Sequence, residues 1–466
     1  MSELERLALG VLLPSFRGGA VPEWISRAVD DGLGGVVLFA DNVPLRDELE
    51  GVLVAIDEEG GDVTRLGLPT PGNLALGVLD DAEATENVAR EIARGCAAAG
   101  ANVNLAPVAD VNVDDQNAAI GVRSFGADVD LVARHTAAYV RGTQREGVAA
   151  CAKHFPGHGH TREDSHKELP TLDLDLGDPL RPFVAAIEAE VAAIMTAHVR
   201  VPAYGDAPAT LNRSLLHDLL RSELGFDGVL ITDALEMGAI SSTYGPQDAA
   251  VRALGAGADA LCLGTSYGER EVAAVRSAIV DAVRRGELAE ARLAEAAGRV
   301  RELATTFPVS GSQPQSPEGV GREAARRALR IEGDPRLEES AMVVEFRPEP
   351  LVAAGEQRFG LGDALRDRGR VSSVLRVERS GPAPGPAATP LVLVLRDAHR
   401  HSWQRAGAEE LLAHRPDAVV VETGLPVWRP PHFGAYVVTH GAGRVNLEAA
   451  AEMLAPAREP ALAKEA

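Results

Sequence analysis

Between residue 7 and about residue 306, short runs rich in Val, Ile and Leu alternate with longer stretches of helical periodicity, and this alternation constrains the fold more than any other feature of the chain. A parallel strand covered on both faces reads as a near-continuous apolar run, and reaching the next parallel strand takes a crossover of a dozen or more residues, usually a helix. Runs at 7–13, 35–39, 52–56, 103–106, 148–152, 192–196, 229–232 and 258–263 fit that description. Eight such units within roughly 300 residues predict an α/β fold, a TIM-type (β/α)8 barrel over residues 1–306. A doubly wound open sheet is the alternative topology.

The chain has 466 residues, more than the roughly 250–300 that one core organises, so a second domain is expected. Residues 307–321, FPVSGSQPQSPEGVG, are rich in Pro, Ser and Gly and read as an exposed linker. With a helix over 322–330 they form a connecting segment, 307–337. Strand-like runs at 342–346, 373–377, 391–395, 418–421 and 435–439, interleaved with helices such as 406–413, predict a smaller α/β domain over 338–466. Its histidines, His399, His401, His414, His432 and His440, are scattered, and packing against the barrel or an interaction module are the two roles open to it. The charged, Ala/Pro-rich tail from 456 should fray.

A net charge of −22 argues against a nucleic-acid backbone or an anionic membrane as partner, because both need clustered Lys and Arg. No run approaches the roughly 18 consecutive apolar residues of a membrane span. Cys96, Cys151 and Cys262 are odd in number and each lies in an apolar stretch, which predicts buried free thiols and a reducing compartment. The first residues, MSELERLALG, lack the basic start of a secretory signal. The expectation is a cytoplasmic protein, a monomer or homodimer, with a small-molecule substrate.

Catalytic groups of such a barrel come from the C-terminal ends of its strands. Asp57 follows VLVAI, Lys153 and His154 follow VAACA, His198 follows AAIMTA, and Asp233 follows VLIT. The densest stretch is KHFPGHGHTREDSH (153–166), with four histidines, Asp164 and Lys153 in one long loop. Two chemistries fit this loop. His158 and His160 form an H-x-H pair which, with His198 and Asp233, suits a zinc hydrolase. Alternatively, Asp164 lies two residues from His166, where its carboxylate can orient and charge-stabilise the imidazole for acid/base work.

The motifs DEEGGDVTR (57–65), NLAPVADVN (104–112), NAAIGVRSFG (117–126), KHFPGHGHTREDSHKELP (153–170), APATLNRSLL (207–216) and LGFDGVLITDALEMGAI (224–240) closely resemble the β-N-acetylglucosaminidases of glycoside hydrolase family 3. The likeness runs in order over most of residues 1–306. It implies that Asp233 attacks the anomeric carbon and that Asp164 and His166 supply the acid/base. It also implies that Asp57, Arg65, Arg123, Lys153 and His154 hold the sugar, with no metal and no cofactor. His158 and His160 gain no metal role from it and are better read as loop-shaping residues.

The residue chemistry agrees. A retaining glycosidase needs a carboxylate nucleophile and a proton donor, typically about 5–5.5 Å apart. An imidazole titrates near 6.5 without help, so His166 needs no large shift to serve as the donor. Glu236 is the local rival of Asp233, with first-turn acid of a helix as its bland role. Arg65 suits an ion pair with Asp57 as well as it suits sugar contact. Trp24, Trp403 and Trp428 fall outside the motifs, so an exo-acting enzyme on small GlcNAc-containing glycosides is expected, drawn from internalised cell-wall (muropeptide) or chitin fragments. A phosphorylase acting on the same site is the second reading.

Overall fold

The structure is a computed structural model that describes residues 1–43, 45, 49–173, 175–309, 319–350, 352–355, 359–378 and 390–456. Eight short parallel strands form the N-terminal half: β1 (Leu12–Pro14), β2 (Gly35–Leu38), β3 (Leu53–Ile56), β4 (Val103–Asn104), β5 (Ala149–Phe155), β6 (Ala193–Thr196), β7 (Val229–Ile231) and β8 (Leu261–Gly264). Strands β2 to β7 pair in sequence order, and β1 pairs with β8. A bridge between Ile231 and Ala260 joins β7 to β8, and Gly34 N–H donates to Leu9 C=O at the seam before β2. This is the (β/α)8 order, not the open sheet.

Side-chain alternation explains the closure. Leu13, Val37, Ala55, Val103, Cys151, Met195, Ile231 and Cys262, one from each strand, meet in the barrel interior. Their neighbours Leu12, Val36, Leu38, Val54, Ile56, Leu261 and Leu263 face the surrounding helices. All three cysteines are buried and free, as expected.

The first strand is shorter than the sequence suggests. Residues 3–9 form a helix (Glu3–Leu9), and only Leu12–Pro14 pair as strand. The run LALGVLL is ambiguous between helix and strand by pattern alone. The deciding signal is upstream: Ser2 and Glu5 form a reciprocal capping box, with Glu5 N–H donating to Ser2 Oγ (3.3 Å) and Ser2 N–H to Glu5 Oε2 (2.8 Å).

The C-terminal domain is a six-stranded sheet of β9 (Arg330–Gly333), β10 (Ala341–Phe346), β11 (Val371–Val377), β12 (Leu391–Leu395), β13 (Val419–Glu422) and β14 (Ala435–Val438). Its spatial order is β11-β10-β12-β13-β14-β9, parallel except for the antiparallel edge strand β9. Residues 330–333, assigned above to the connecting segment, are therefore part of this sheet. The helix Val320–Ala328 is also packed, not exposed. Gly321 is buried, its N–H donates to Glu91 of the barrel (3.1 Å), and Arg322 pairs with Glu448 of the second domain (2.6 Å). Most of the Pro/Ser/Gly stretch, 310–318, and the tail expected to fray, from 457, lie outside the described residues. Among the described residues no helix is long and apolar enough to cross a membrane.

Candidate active site

The ends of β3 and β5 meet in a largely buried cluster of charge. Lys153, on β5, places Nζ 2.6 Å from Asp57 Oδ1 and 2.7 Å from Glu59 Oε1. Arg123 grips Glu59 with both edges of its fork, Nε to Oε2 at 3.0 Å and Nη2 to Oε1 at 2.8 Å. Burial works against ionising Glu59, but the Arg123 and Lys153 charges outweigh it and hold its carboxyl well below the usual range. His154 is oriented by Asp110, whose Oδ2 lies 2.7 Å from Nδ1, and its Nε2 lies 3.4 Å from Arg123 Nη2. Asp57, Lys153, His154 and Arg123 are thus brought together. The two carboxylates that hold them, Glu59 and Asp110, were not singled out from the sequence, although both lie inside the quoted motifs.

The Glu58–Leu66 turn fixes this geometry. Glu58 accepts from the backbone N–H groups of Arg65 (2.7 Å) and Leu66 (2.9 Å), which folds the segment back on itself. Gly60 and Gly61 adopt φ of 85° and 60°, and a Cβ on Gly61 would stand 2.4 Å from the Gly72 nitrogen, so only glycine fits there. Arg65 is mostly buried. Its Nη2 donates to Ala353 C=O of the second domain at 2.9 Å and lies 4.0 Å from Asp57, so it ties Asp57 to that domain.

On the opposite rim, His166 Nδ1 lies 2.8 Å from Asp164 Oδ1, and His166 N–H donates to the same oxygen at 3.0 Å. Burial pushes the Asp164 carboxyl upward, the His166 bonds outweigh it, and the carboxyl settles at about 2. Asp164 therefore stays anionic and orients His166 through Nδ1–H, so that Nε2 is the ring nitrogen left for another partner. The loop end docks on the segment after β7: Gly238 N–H donates to His166 C=O and Ala239 N–H to Ser165 C=O, each at 3.1 Å. A Cβ at Gly238 would stand 2.8 Å from the His166 oxygen, so glycine is what permits the docking. That contact brings the Asp164–His166 pair to Asp233.

Asp233 follows β7 and accepts from Ala234 N–H at 2.7 Å. Burial opposes its ionisation, but the fields of His198, His154 and His166 and the Ala234 bond hold its carboxyl below the ordinary value. Glu236 is engaged elsewhere. Its two oxygens accept from Thr265 N–H (2.7 Å) and Ser266 N–H (2.8 Å), so it closes the loop after β8 and is not the first-turn acid expected above.

The H-x-H pair is not arranged for zinc. Both ring nitrogens of His158 are committed, Nδ1 to Thr161 Oγ1 (2.7 Å) and Nε2 to Ser165 Oγ (3.1 Å). Its N–H donates to Asp110 (2.6 Å), so it props the loop from beneath. Burial lowers its pKa to about 4. His198 bonds Thr210 and the Ala234 carbonyl. Among the described residues no group of three His, Cys, Asp or Glu side chains is placed to share an ion.

Comparison with known proteins places the chain in a family. The glycosyl hydrolase family 3 N terminal domain matches residues 34–303. The chain is 33% identical over 326 residues to beta-hexosaminidase A of Pseudoalteromonas piscicida, an alignment covering 60% of this chain and 54% of that protein. It is 35% identical over 296 residues to beta-hexosaminidase LpqI of Mycobacterium tuberculosis, covering 60% and 74%. A solved family 3 β-N-acetylglucosaminidase from Paenibacillus sp. str. FPU-7 superposes with a TM-score of 0.85 at 31% identity, covering 98% of this chain and 97% of that one. With the family domain spanning more than half of the sequence and the barrel ends carrying its motifs, the chain belongs to glycosyl hydrolase family 3.

Proposed function

We propose that this protein is a retaining exo-β-N-acetylglucosaminidase that removes terminal β-linked N-acetylglucosamine from small cell-wall or chitin-derived glycosides. The observation that carries the proposal is the docking of the Asp164–His166 loop on the segment that bears Asp233, which supports a proton donor and a carboxylate working at one bond. In the first step an Asp233 oxygen attacks the anomeric carbon, the glycosidic C–O bond breaks, and the leaving oxygen takes the proton from His166 Nε2. In the second, His166 takes a proton from water as that water displaces Asp233. Lys153, Asp57, Arg123 and His154 supply fixed donors and acceptors for sugar hydroxyls. Hexosaminidase activity is supported by the mycobacterial and Pseudoalteromonas relatives and by the Paenibacillus enzyme. Cytoplasmic residence belongs to the same proposal and is supported by three buried free thiols. The test is Asp233→Asn: turnover of an aryl N-acetylglucosaminide should fall by at least a thousandfold with the melting temperature preserved. A fluorinated mechanism-based glycoside that keeps the 2-acetamido group should label Asp233 and leave Glu236 unlabelled, and wild-type-like turnover or labelling of Glu236 refutes the assignment.

A further inference from the structure

The second domain carries a cavity of about 780 Å3 that the barrel chemistry does not use. Its position follows from topology. From β10 the chain goes to β11 on one side and then crosses to β12 on the other, so the strand order reverses between β10 and β12. In parallel α/β sheets ligands bind outside the carboxyl ends of the strands at such a reversal. The cavity opens there, lined by Phe346 at the end of β10 and Arg347 after it, Val394 and Arg396 around the end of β12, and Trp403 beyond it. A volume of 300–1,000 Å3 is typical of small-ligand pockets.

The lining selects the ligand. In a chain that is only 4% aromatic, Phe346, Phe359 and Trp403 all line this one space; Phe346 is buried against half-buried Trp403, ring centroids 5.9 Å apart, and Arg444 lies 4.9 Å from the Phe359 ring centroid. The negative faces of aromatic rings attract the weakly positive C–H faces of a pyranose. The polar lining is balanced, with Arg347, Arg396 and Arg400 set against Glu345, Glu349 and Glu378. Arg347 is held rigid by Glu345, which accepts from its Nε at 3.1 Å and its Nη2 at 2.7 Å. Paired donors and acceptors suit hydroxyl groups, which do both.

A phosphorylated ligand fits poorly. The segment after β10 reads Arg347-Pro348-Glu349-Pro350, and its prolines offer no N–H groups for an anion cradle. Glu349 and Glu378 would repel a phosphate dianion. From the reversal point, the aromatic faces and the balanced charge, we propose that this cavity is a second saccharide-binding site taking a neutral oligosaccharide.

The site is separate from the barrel cluster yet shares a wall with it. Arg396 lines the cavity and ion-pairs at 2.5 Å with Asp62 of the Glu58–Leu66 turn, while Ala353, next to the lining residue Ala354, accepts from Arg65. The proposal goes beyond the catalytic reading because it concerns binding alone. It is tested on the full-length Asp233→Asn chain by calorimetric titration with the N-acetylglucosamine tetramer, with cellotetraose and ATP as comparison probes. Two tetramers should bind per chain. Adding Trp403→Ala should weaken one of them at least tenfold and spare the other, and Ser402→Trp, a bulky residue on the exposed rim, should do the same. Lys153→Ala should remove the other site and leave the Trp403-dependent one. No tetramer whose binding weakens with the pocket variants at unchanged melting temperature, whether one or two bind per chain, or Trp403-dependent binding of ATP without saccharide binding, overturns the proposal; a single Trp403-dependent tetramer upholds it and counts instead against the barrel reading.

Discussion

Replacing Glu59 by Gln tests whether the buried charge cluster is what positions the groups proposed to hold the sugar. Glu59 accepts two Arg123 bonds and one Lys153 bond, and the three side chains are only 2–6% exposed. The amide keeps one acceptor and turns the other position into an N–H2 that faces either a guanidinium or an ammonium. Removing one member of a buried pair typically costs about 3–5 kcal/mol, because the partner is left desolvated. Lys153 retains Asp57 at 2.6 Å, so the low end, about 3 kcal/mol, applies. For a domain of this size that corresponds to a fall in melting temperature of about 5 °C or more. Released Arg123 and Lys153 would no longer meet hydroxyls at fixed positions, and at 1.4 kcal/mol per tenfold a full 3 kcal/mol expressed in the transition state is about 100-fold in kcat/KM. Glu59→Asp, which keeps the charge one methylene short, should fall between. Differential scanning calorimetry and steady-state kinetics read both effects. A Gln variant within twofold of wild type in kcat/KM and within 1 °C in melting temperature would refute the claim that this carboxylate organises the site.

His166→Ala should slow glycosides with poor leaving groups by at least a hundredfold more than activated aryl glycosides, since only the former need a proton at the departing oxygen; equal losses on both would remove His166 from that role. Stability should fall on the acid side. His158 and His440 are buried with pKa lowered from 6.5 to about 4, chiefly by burial, so each contributes stability that is complete above about pH 6.5 and drains as the pH drops toward 4, at most about 3 kcal/mol apiece. His440→Asn, which tolerates the left-handed φ of 55° at that position, should flatten part of the loss of melting temperature between pH 6.5 and 4. An unchanged pH profile counts against it.

The barrel was readable because its strands are continuous apolar runs separated by amphipathic helices, a pattern that depends only on burial. Asp233, Lys153, His154 and Asp57 were readable for a related reason: each belongs to the polar step that ends such a run. What the pattern hides are the residues that act through others. Glu59 looks like one more acid in a turn, and Asp110 like an ordinary loop aspartate, until folding brings Arg123 and His154 to them from 64 and 44 residues away. Gly61 is similar. Its left-handed turn lies against Gly443, whose added Cβ would stand 2.6 Å from the Gly61 Cα, while Ala442 N–H donates to Asp62 at 2.7 Å. The second domain therefore braces the turn that carries Glu58 and Glu59, a dependence that no local sequence pattern encodes. Its edge strand β9 was missed for the complementary reason, since Arg330–Gly333 is short, exposed at every position and carries a single apolar side chain, Ile331, too little for a hydrophobic signature.

Under the proposed mechanism, whether water or phosphate takes the sugar from Asp233 turns on charge. Lys153 and Arg123 are matched by Asp57 and Glu59, so the cluster is neutral and suits a pyranose, whose hydroxyls donate and accept. A phosphate entering beside Asp233 needs a cation that is not already spent. Arg123 has its fork on Glu59 and its Nη1 on the Ala119 carbonyl at 2.8 Å, and Arg65 directs Nη2 to Ala353. His166 removes one obstacle, because after giving up its proton it is neutral, whereas a carboxylate in its place would repel the dianion. The absence of repulsion is weaker than attraction, and water needs neither. With millimolar phosphate present the expected product is therefore free N-acetylglucosamine, with phosphate at most accelerating turnover. If chromatography of the products shows mainly N-acetylglucosamine 1-phosphate, one of these guanidinium groups must release its partner when the glycosyl-enzyme forms. The chain would then be a phosphorylase built on a hydrolase frame.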